Sequence, residues 1–197
     1  GATTAALKAS KGEALLCRAY SHFVLANLFC MPYNPATADN YLGIPYMDHA
    51  ETDLNPRYDR GTLKEVYEMI GKDIEEGFPL IDDNSYAVPK YHFNYKAACC
   101  FASRYYLFIQ DWDNAIKYAT MALTSNPTSL LRDYDAIAAI PNSASRHQAY
   151  VQSSSSANFL VQAATSSSGK VFGWYTTAGR YAHGKLQGTY ETVQPKY

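Results

Sequence analysis

Charge and long apolar runs are both scarce in this sequence. Only 18% of the 197 residues are charged, and 17 Lys and Arg residues nearly balance 18 Asp and Glu residues, giving a formal net charge of -1. Proteins that bind nucleic acid or anionic membrane surfaces carry clustered basic residues, so we predict neither as a partner. No run of about 18 apolar residues occurs, which argues against a membrane-spanning helix.

Signatures of catalysis and of metal binding are missing as well. The histidines and cysteines do not show the spacings of a zinc site, and no G-x-S-x-G sequence is present. Ser168-Gly169-Lys170 is similar to the end of a phosphate-binding loop, but Val171 stands where Ser or Thr would bind magnesium. We therefore predict a non-enzymatic protein without a metal or a cofactor.

Helical periodicity is the feature that the sequence does contain. A first helix is predicted from about Lys11 to Met31, ended by Pro32. Thr62 and Glu65 form a capping box that opens a second helix. The predicted apolar stripe of the first helix is Leu16, Ala19, Phe23, Ala26 and Cys30, and that of the second is Leu63, Val66, Ile70, Ile74 and Ile81. The four cysteines, at positions 17, 30, 99 and 100, fall in predicted helices and are interpreted as buried free thiols rather than as a disulfide framework.

Residues 96–127 match the pattern of a tetratricopeptide helix pair. Ala115 is followed seven residues later by Ala122, and five residues after that by Pro127. Asn94 and Asp111 are the predicted caps of this third and fourth helix, and the short turn between them requires the two helices to lie antiparallel. The predicted stripe of the fourth helix is Trp112, Ile116, Ala119 and Leu123. Stacked pairs of this kind bind ligands and rarely catalyse reactions.

Two regions lack helical periodicity. Residues 32–60 contain four prolines and several Asn and Asp residues, which block regular structure, and the tyrosines of this long loop favour an ordered conformation. Residues 141–197 are rich in Ser, Gly and Thr, with short strands predicted at 149–151 and 159–161. We predict a mainly α fold of stacked tetratricopeptide-like hairpins with little β structure. Its helical region spans 1–140, and the irregular segment 141–197 packs on it within one domain.

Three motifs resemble a known family in the same order. Residues 13–20, EALLCRAY, resemble the "EALFLRAYYY" helix of the SusD/RagB nutrient-binding lipoproteins. Residues 42–46, LGIPY, are similar to the "GIPL" turn of that family, and residues 60–67, RGTLKEVY, are similar to its "RSTVAEVY". The resemblance extends over about residues 12–127.

The resemblance implies a cell-surface lipoprotein of the outer membrane of Bacteroidetes. Such proteins are built on tetratricopeptide-like helices, capture a polysaccharide, oligosaccharide or similar nutrient, and deliver it to a SusC-like TonB-dependent transporter. Family members are much longer than this chain and begin with a lipidated cysteine. We therefore expect a fragment or truncated relative, associated with the membrane only through a lipid anchor outside this chain.

Candidate ligand-binding residues follow from the chemistry of sugars. Sugar rings pack their C–H faces on aromatic planes, while their hydroxyls need polar side chains at the edge. One candidate set is Trp174, Tyr175, Arg180 and Tyr181. A second set, in the long loop, is Tyr33, Asn34, Tyr41, Tyr46, Asp48 and Tyr58. The alternative for each aromatic residue is that it anchors the loop on the helices, and Arg18 and Arg60 are interpreted as structural partners of loop carboxylates.

Two other function classes stay open from the residues alone. A tetratricopeptide scaffold could bind a protein or peptide in the concave face of its helix stack. A glycan-cleaving enzyme would need two opposed carboxylates, which the acidic residues of the long loop could supply. The length and aromatic content of that loop favour glycan binding over the peptide scaffold, because peptide-binding arrays keep short connections.

Overall fold

The structure is a computed structural model that describes residues 5–54, 56–123 and 127–161. Its α-helices are α1 (Ala5–Phe29), α2 (Leu63–Gly77), α3 (Tyr95–Phe108), α4 (Trp112–Ala122), α5 (Tyr134–Ala138) and α6 (Ser143–Val151). In these ranges, β pairing is confined to one isolated antiparallel bridge between Leu42 and Thr62. The predicted mainly α fold with little β structure is confirmed.

Helices α1 and α2 pack against each other in opposite directions. Their side-chain contacts run in opposite order along the two helices: Lys11 with Glu76, Arg18 with Asp73, and Asn27 with Tyr67. The two backbones approach each other closely where Gly12 faces Gly77, since a Cβ built on Gly12 would lie 2.8 Å from the Gly77 carbonyl oxygen. The absence of side chains at both positions therefore permits the close approach of the two helices.

We expect Gly12→Ala to lower the free energy of unfolding by about 1 kcal/mol. Overpacking against a backbone atom typically destabilises a protein by about 1–3 kcal/mol. This cost exceeds the stabilisation of up to about 1 kcal/mol that comes from the higher helix propensity of alanine. Ser10→Ala, on the exposed side of the same helix, is the control and should not destabilise. Urea denaturation measures both variants, and a Gly12→Ala protein as stable as the parent would contradict the close backbone packing.

Helix α3 covers the α1–α2 pair with aromatic side chains. The Phe101 ring lies edge-on to Phe23 and Tyr20, at centroid distances of 5.8 and 5.3 Å. The Tyr105 hydroxyl donates to the carbonyl oxygen of Tyr67 at 2.8 Å, so a buried tyrosine is satisfied by the helix it packs on. The most deeply buried large side chains in the described ranges are Tyr67, Leu16, Leu63, Ile70, Ile74 and Cys99.

The α3–α4 pair has the predicted hairpin geometry. Asn94 and Asp111 cap the two helices through their side chains, and Gln110 takes a positive φ of 66° in the connecting turn. Ala115 and Ala122 are buried, and the Ala115 carbonyl accepts a hydrogen bond of 2.8 Å from the hydroxyl of Ser103 on α3. Small residues at these positions let the helices approach closely, which confirms the tetratricopeptide pattern.

The predicted stripe of α4 is wrong about which face is buried. Trp112, Ile116 and Leu123 are 56%, 65% and 47% exposed, and the buried residues of α4 are Ala115, Tyr118 and Ala122. Both sets repeat with helical spacing, so periodicity alone does not choose between them. Ala115 and Ala122 permit the shorter interhelical distance to α3, the Tyr118 ring packs on Tyr106 of α3, and Trp112, Ile116 and Leu123 face outward.

Several boundaries also need correction. Helix α1 begins at Ala5, six residues before the predicted start, and Ile81 lies beyond the end of α2, although it packs against the core. The predicted strand at 149–151 is helical, because Asn142 caps α6 by accepting the Ser145 amide at 3.2 Å. No strand forms at 159–161 either. The Val161 amide there donates to the Lys90 carbonyl, a single bond that does not make a ladder.

All four cysteines are free, as predicted, but the prediction that they are buried is wrong for Cys100. Cys99 is buried, Cys17 and Cys30 are half-buried, and Cys100 is exposed. Cys30 lies just beyond the end of α1 rather than within it. The proposed packing of 141–197 on the helical region stays a prediction, because residues 162–197 lie outside the described part of the chain.

Candidate functional site

The long loop is fastened to the helices by a buried carboxylate. Asp73 on α2 is 3% exposed, and its two oxygens accept hydrogen bonds of 2.6 Å from Nε and Nη2 of Arg18. The Tyr46 hydroxyl donates to the same carboxylate at 2.7 Å, and Nη1 of Arg18 donates to the Asp48 carbonyl oxygen at 2.9 Å. Helices α1 and α2 and the loop therefore meet in one ion-paired cluster.

The pKa shifts in this cluster keep Arg18 charged and Tyr46 protonated. Hydrogen bonding to Asp73 raises the pKa of the Arg18 guanidinium above its already high value. Burial, together with the hydrogen bond to Asp73, raises the pKa of Tyr46, so the phenol stays protonated and remains a donor.

His22 on α1 adds a second fastening. Its ring stacks on the Tyr46 ring at a centroid distance of 3.9 Å, and its Nε2 accepts the Met47 amide at 2.9 Å. Because Nε2 accepts a hydrogen bond from an amide, the ring proton lies on Nδ1, which donates to the Arg18 carbonyl at 2.8 Å. The sequence analysis did not predict this bond between His22 and the loop.

Hydrogen bonds join Gly43 to Arg60 and Gly61, just before the start of α2, and this closes the loop segment 43–61. The Gly43 amide donates to the Gly61 carbonyl at 2.8 Å, and Nε of Arg60 donates to the Gly43 carbonyl at 2.6 Å. A Cβ on Gly43 would lie 2.7 Å from the Thr62 carbonyl oxygen, so only glycine fits between the loop and α2.

Arg18 and Arg60 hold the fold together, but the prediction that both pair with loop carboxylates is wrong. Arg18 does bind a carboxylate, but that carboxylate belongs to Asp73 on α2, while the loop contributes a carbonyl. Arg60 binds a backbone carbonyl of the loop and not a loop carboxylate. In both cases the guanidinium donates to an acceptor that the fold brings close to it.

The fastened loop and the outward face of α2 form an open groove with a volume of about 430 Å³. Its apolar wall is made by Ile44, Val66 and Met69, with the half-buried ring of Tyr46. Its polar lining consists of the carboxylates of Asp59, Glu65 and Glu68, the ammonium of Lys72, and the backbone of Gly61. An apolar wall beside several hydrogen-bonding groups is the arrangement that a sugar ring requires.

The predicted loop residues fall into different environments. Tyr46 lines the groove, whereas the Tyr33 ring packs on Tyr67 at a centroid distance of 4.4 Å. Burial and the nearby carboxylate of Glu68 raise the pKa of Tyr33. Tyr41 and Tyr58 remain 38% and 37% exposed. Tyr33 and Tyr46 therefore anchor the loop on the helices, which is the alternative stated above for each aromatic residue.

The polar candidates of the loop are engaged locally. The side-chain oxygen of Asn34 accepts the Ala36 amide at 2.9 Å, which shapes a turn. The exposed Asp48 carboxylate lies 2.6 Å from Nδ1 of His49, whose hydrogen bond lowers the pKa of Asp48. Neither side chain lines the groove.

The second predicted set, Trp174, Tyr175, Arg180 and Tyr181, lies outside the described residues, and its role stays a prediction. Sequence reasoning also missed part of the groove. Glu68, Met69 and Lys72 belong to the polar face of α2, which the pattern assigns to solvent. Their spacing places them on one helical face, but only the folded loop shows that this face lines a groove.

The fold and this groove define a stack of tetratricopeptide-like hairpins with an ordered loop laid across its first pair. Residues 2–107 match the family model SusD-like_3, which is described as starch-binding and associating with the outer membrane. This match covers more than half of the 197 residues, so the chain belongs to the SusD-like family.

Solved structures of three SusD superfamily proteins are similar to this chain. The protein from Bacteroides thetaiotaomicron is 29% identical with a TM-score of 0.55, and covers 68% of this chain. Those from Bacteroides vulgatus and Bacteroides fragilis are each 26% identical, with TM-scores of 0.57 and 0.53 and coverage of 68% and 63%. This chain spans 28%, 30% and 29% of these three proteins, respectively. A search of curated proteins found no match.

Proposed function

We propose that this chain belongs to a cell-surface protein that binds a glycan or similar nutrient, without cleaving it, and delivers it to a SusC-like TonB-dependent transporter. Membership of a family described as starch-binding and associating with the outer membrane supports this class of function. The groove between the loop and α2 is the observation that carries the proposal for this chain.

The groove offers both kinds of contact that a saccharide needs. The apolar wall of Ile44 and Met69, together with the ring of Tyr46, can pack against the C–H face of a sugar. Carboxylates accept hydrogen bonds from pairs of sugar hydroxyls, and Glu68 and Asp59 lie on the lining where such hydroxyls would point. The ion-paired cluster at Asp73 keeps the loop in place before the ligand arrives, so little ordering entropy is lost on binding.

Exposed tyrosines of the loop and the second predicted set extend the proposed surface. Tyr41 and Tyr58 keep more than a third of their surface accessible and are available to stack on further sugar units. Trp174 and its neighbours are proposed contacts from the sequence alone. Trp174→Ala should therefore weaken retention by the glycan, and unchanged affinity would remove this residue from the proposal.

We expect Glu68→Ala to weaken glycan binding about tenfold. The substitution removes a charged acceptor, and hydrogen bonds to charged groups contribute about 1.5–3 kcal/mol. Affinity electrophoresis against a panel of polysaccharides measures retention, and an assay for reducing ends in the same samples detects cleavage.

Glu76→Ala is the matched control, because Glu76 is an exposed glutamate on the same helix outside the groove. It should leave retention unchanged. Equal retention of parent and Glu68→Ala proteins would argue against this groove, and release of reducing ends would replace the binding function by a catalytic one. A parent protein that no polysaccharide retains would favour the peptide-binding scaffold.

A further inference from the structure

The lining of the groove is unequally charged. Three of its lining residues, Asp59, Glu65 and Glu68, carry a carboxylate, and one, Lys72, carries an ammonium. Glu65 also accepts the Thr62 amide in the capping box at 2.7 Å, which holds that carboxylate at the groove instead of letting it turn away. The groove therefore presents a net negative potential to whatever enters it.

The other cations on or near the loop, Arg18, Arg57, Arg60 and Lys64, do not line the groove. Arg18 is held by Asp73, Nε of Arg60 donates to a backbone carbonyl, and the Lys64 ammonium lies 3.1 Å from a carboxylate oxygen of Asp39. Among the side chains lining the groove in the described part of the chain, Lys72 is the single cation. A ligand carboxylate or sulfate would meet one ammonium and three like charges.

We propose that this groove selects glycans built of neutral sugars and rejects those that carry uronate or sulfate groups. The inference rests on the proposed function of the groove and adds a chemical class to it. Hydroxyl groups donate to the carboxylates without a charge conflict, whereas an anionic substituent is repelled within a few ångströms. Salt screens such repulsion where the groups are solvated, so the rejection weakens as ionic strength rises.

Matched polysaccharides test this selection. Amylopectin, galactomannan and mixed-linkage β-glucan are each compared with their own carboxymethyl derivatives by affinity electrophoresis at low and high salt. We expect the derivative of a retained glycan to bind at least tenfold more weakly than its neutral parent at low salt, with a smaller difference at 1 M NaCl. Equal retention of the two forms would overturn the neutral selection while leaving glycan binding intact. Retention of no neutral glycan would instead contradict the proposed function.

A pair of charge reversals locates the effect. Glu68→Lys should raise the affinity for the carboxymethyl glycan about tenfold relative to that for its neutral parent, because loss of the Glu68 acceptor weakens both forms alike. Glu76→Lys, the same change on the same helix outside the groove, should leave this ratio unchanged. Equal gains in the two variants would show that overall charge and not the groove decides, and would overturn the proposal. Circular dichroism and unfolding midpoints establish that each variant is folded, and Glu68→Gln, with a smaller expected gain, replaces any Glu68→Lys protein that is not.

Discussion

Asp73→Ala is expected to lower the free energy of unfolding by about 3 kcal/mol and to release the loop from the helices. Removal of one partner from a buried ion pair typically costs about 3–5 kcal/mol, because the remaining charge is left uncompensated. The lower end applies here, since the Arg18 side chain is 29% exposed and regains some solvation. The Tyr46 hydroxyl loses its acceptor at the same time.

Two measurements separate these effects. Urea denaturation gives the loss of global stability, and hydrogen exchange at the Met47 amide reports release of the loop, because that amide is bonded to His22 next to the cluster. Glu76→Ala removes the ion pair between Lys11 and Glu76, which joins the same two helices. The side chains of this pair are 57% and 45% exposed. This control should change stability by no more than about 1 kcal/mol. A similar small loss for Asp73→Ala, with Met47 still protected, would show that the buried pair does not fasten the loop.

Tyr118→Ala is expected to destabilise far more than Trp112→Ala, although tryptophan is the larger side chain. Tyr118 is 8% exposed and packs on Tyr106 and Phe78 at centroid distances of 5.4 and 5.2 Å, so its removal leaves a cavity and should cost about 3 kcal/mol. Trp112 is 56% exposed, and its removal should cost less than about 1 kcal/mol.

The comparison tests which face of α4 is buried. Urea denaturation of the two variants gives the difference directly, and Ile116→Ala, at a position that is 65% exposed, should behave like Trp112→Ala. A larger loss for Trp112→Ala than for Tyr118→Ala would restore the stripe predicted from the sequence.

Helix positions could be predicted because their signals are local. The capping box of Thr62 and Glu65 and the caps Asn94 and Asp111 satisfy amides within three residues of themselves, so they act in the same way in any tertiary context. The spacing from Ala115 to Ala122 likewise reports a requirement for small residues at a helix pair. These features placed the starts of α2, α3 and α4 correctly.

The loop cluster and the groove could not be predicted because they depend on distant residues. Asp73 reads as one polar residue in an amphipathic helix, and only folding brings Arg18, 55 positions earlier, to its carboxylate. The sequence pattern likewise assigns Glu68 and Lys72 to the solvent-exposed face of the helix, because the loop that forms the groove with them is distant in sequence. The face of α4 was mispredicted because two apolar stripes with equal period compete, and packing on α3 selects the one that carries Ala115, Tyr118 and Ala122.

The central claim is that the groove over α2 binds the glycan, and the four methionines of the chain test it most directly. Met69 lines the groove, whereas Met31, just beyond the end of α1, and Met121, on α4, are exposed and do not line it. In a ¹³C-methyl-methionine NMR titration with a retained neutral glycan, we predict a saturable shift of the Met69 signal and unchanged signals for Met31 and Met121. A Met69 signal that stays constant at saturating glycan would contradict the claim.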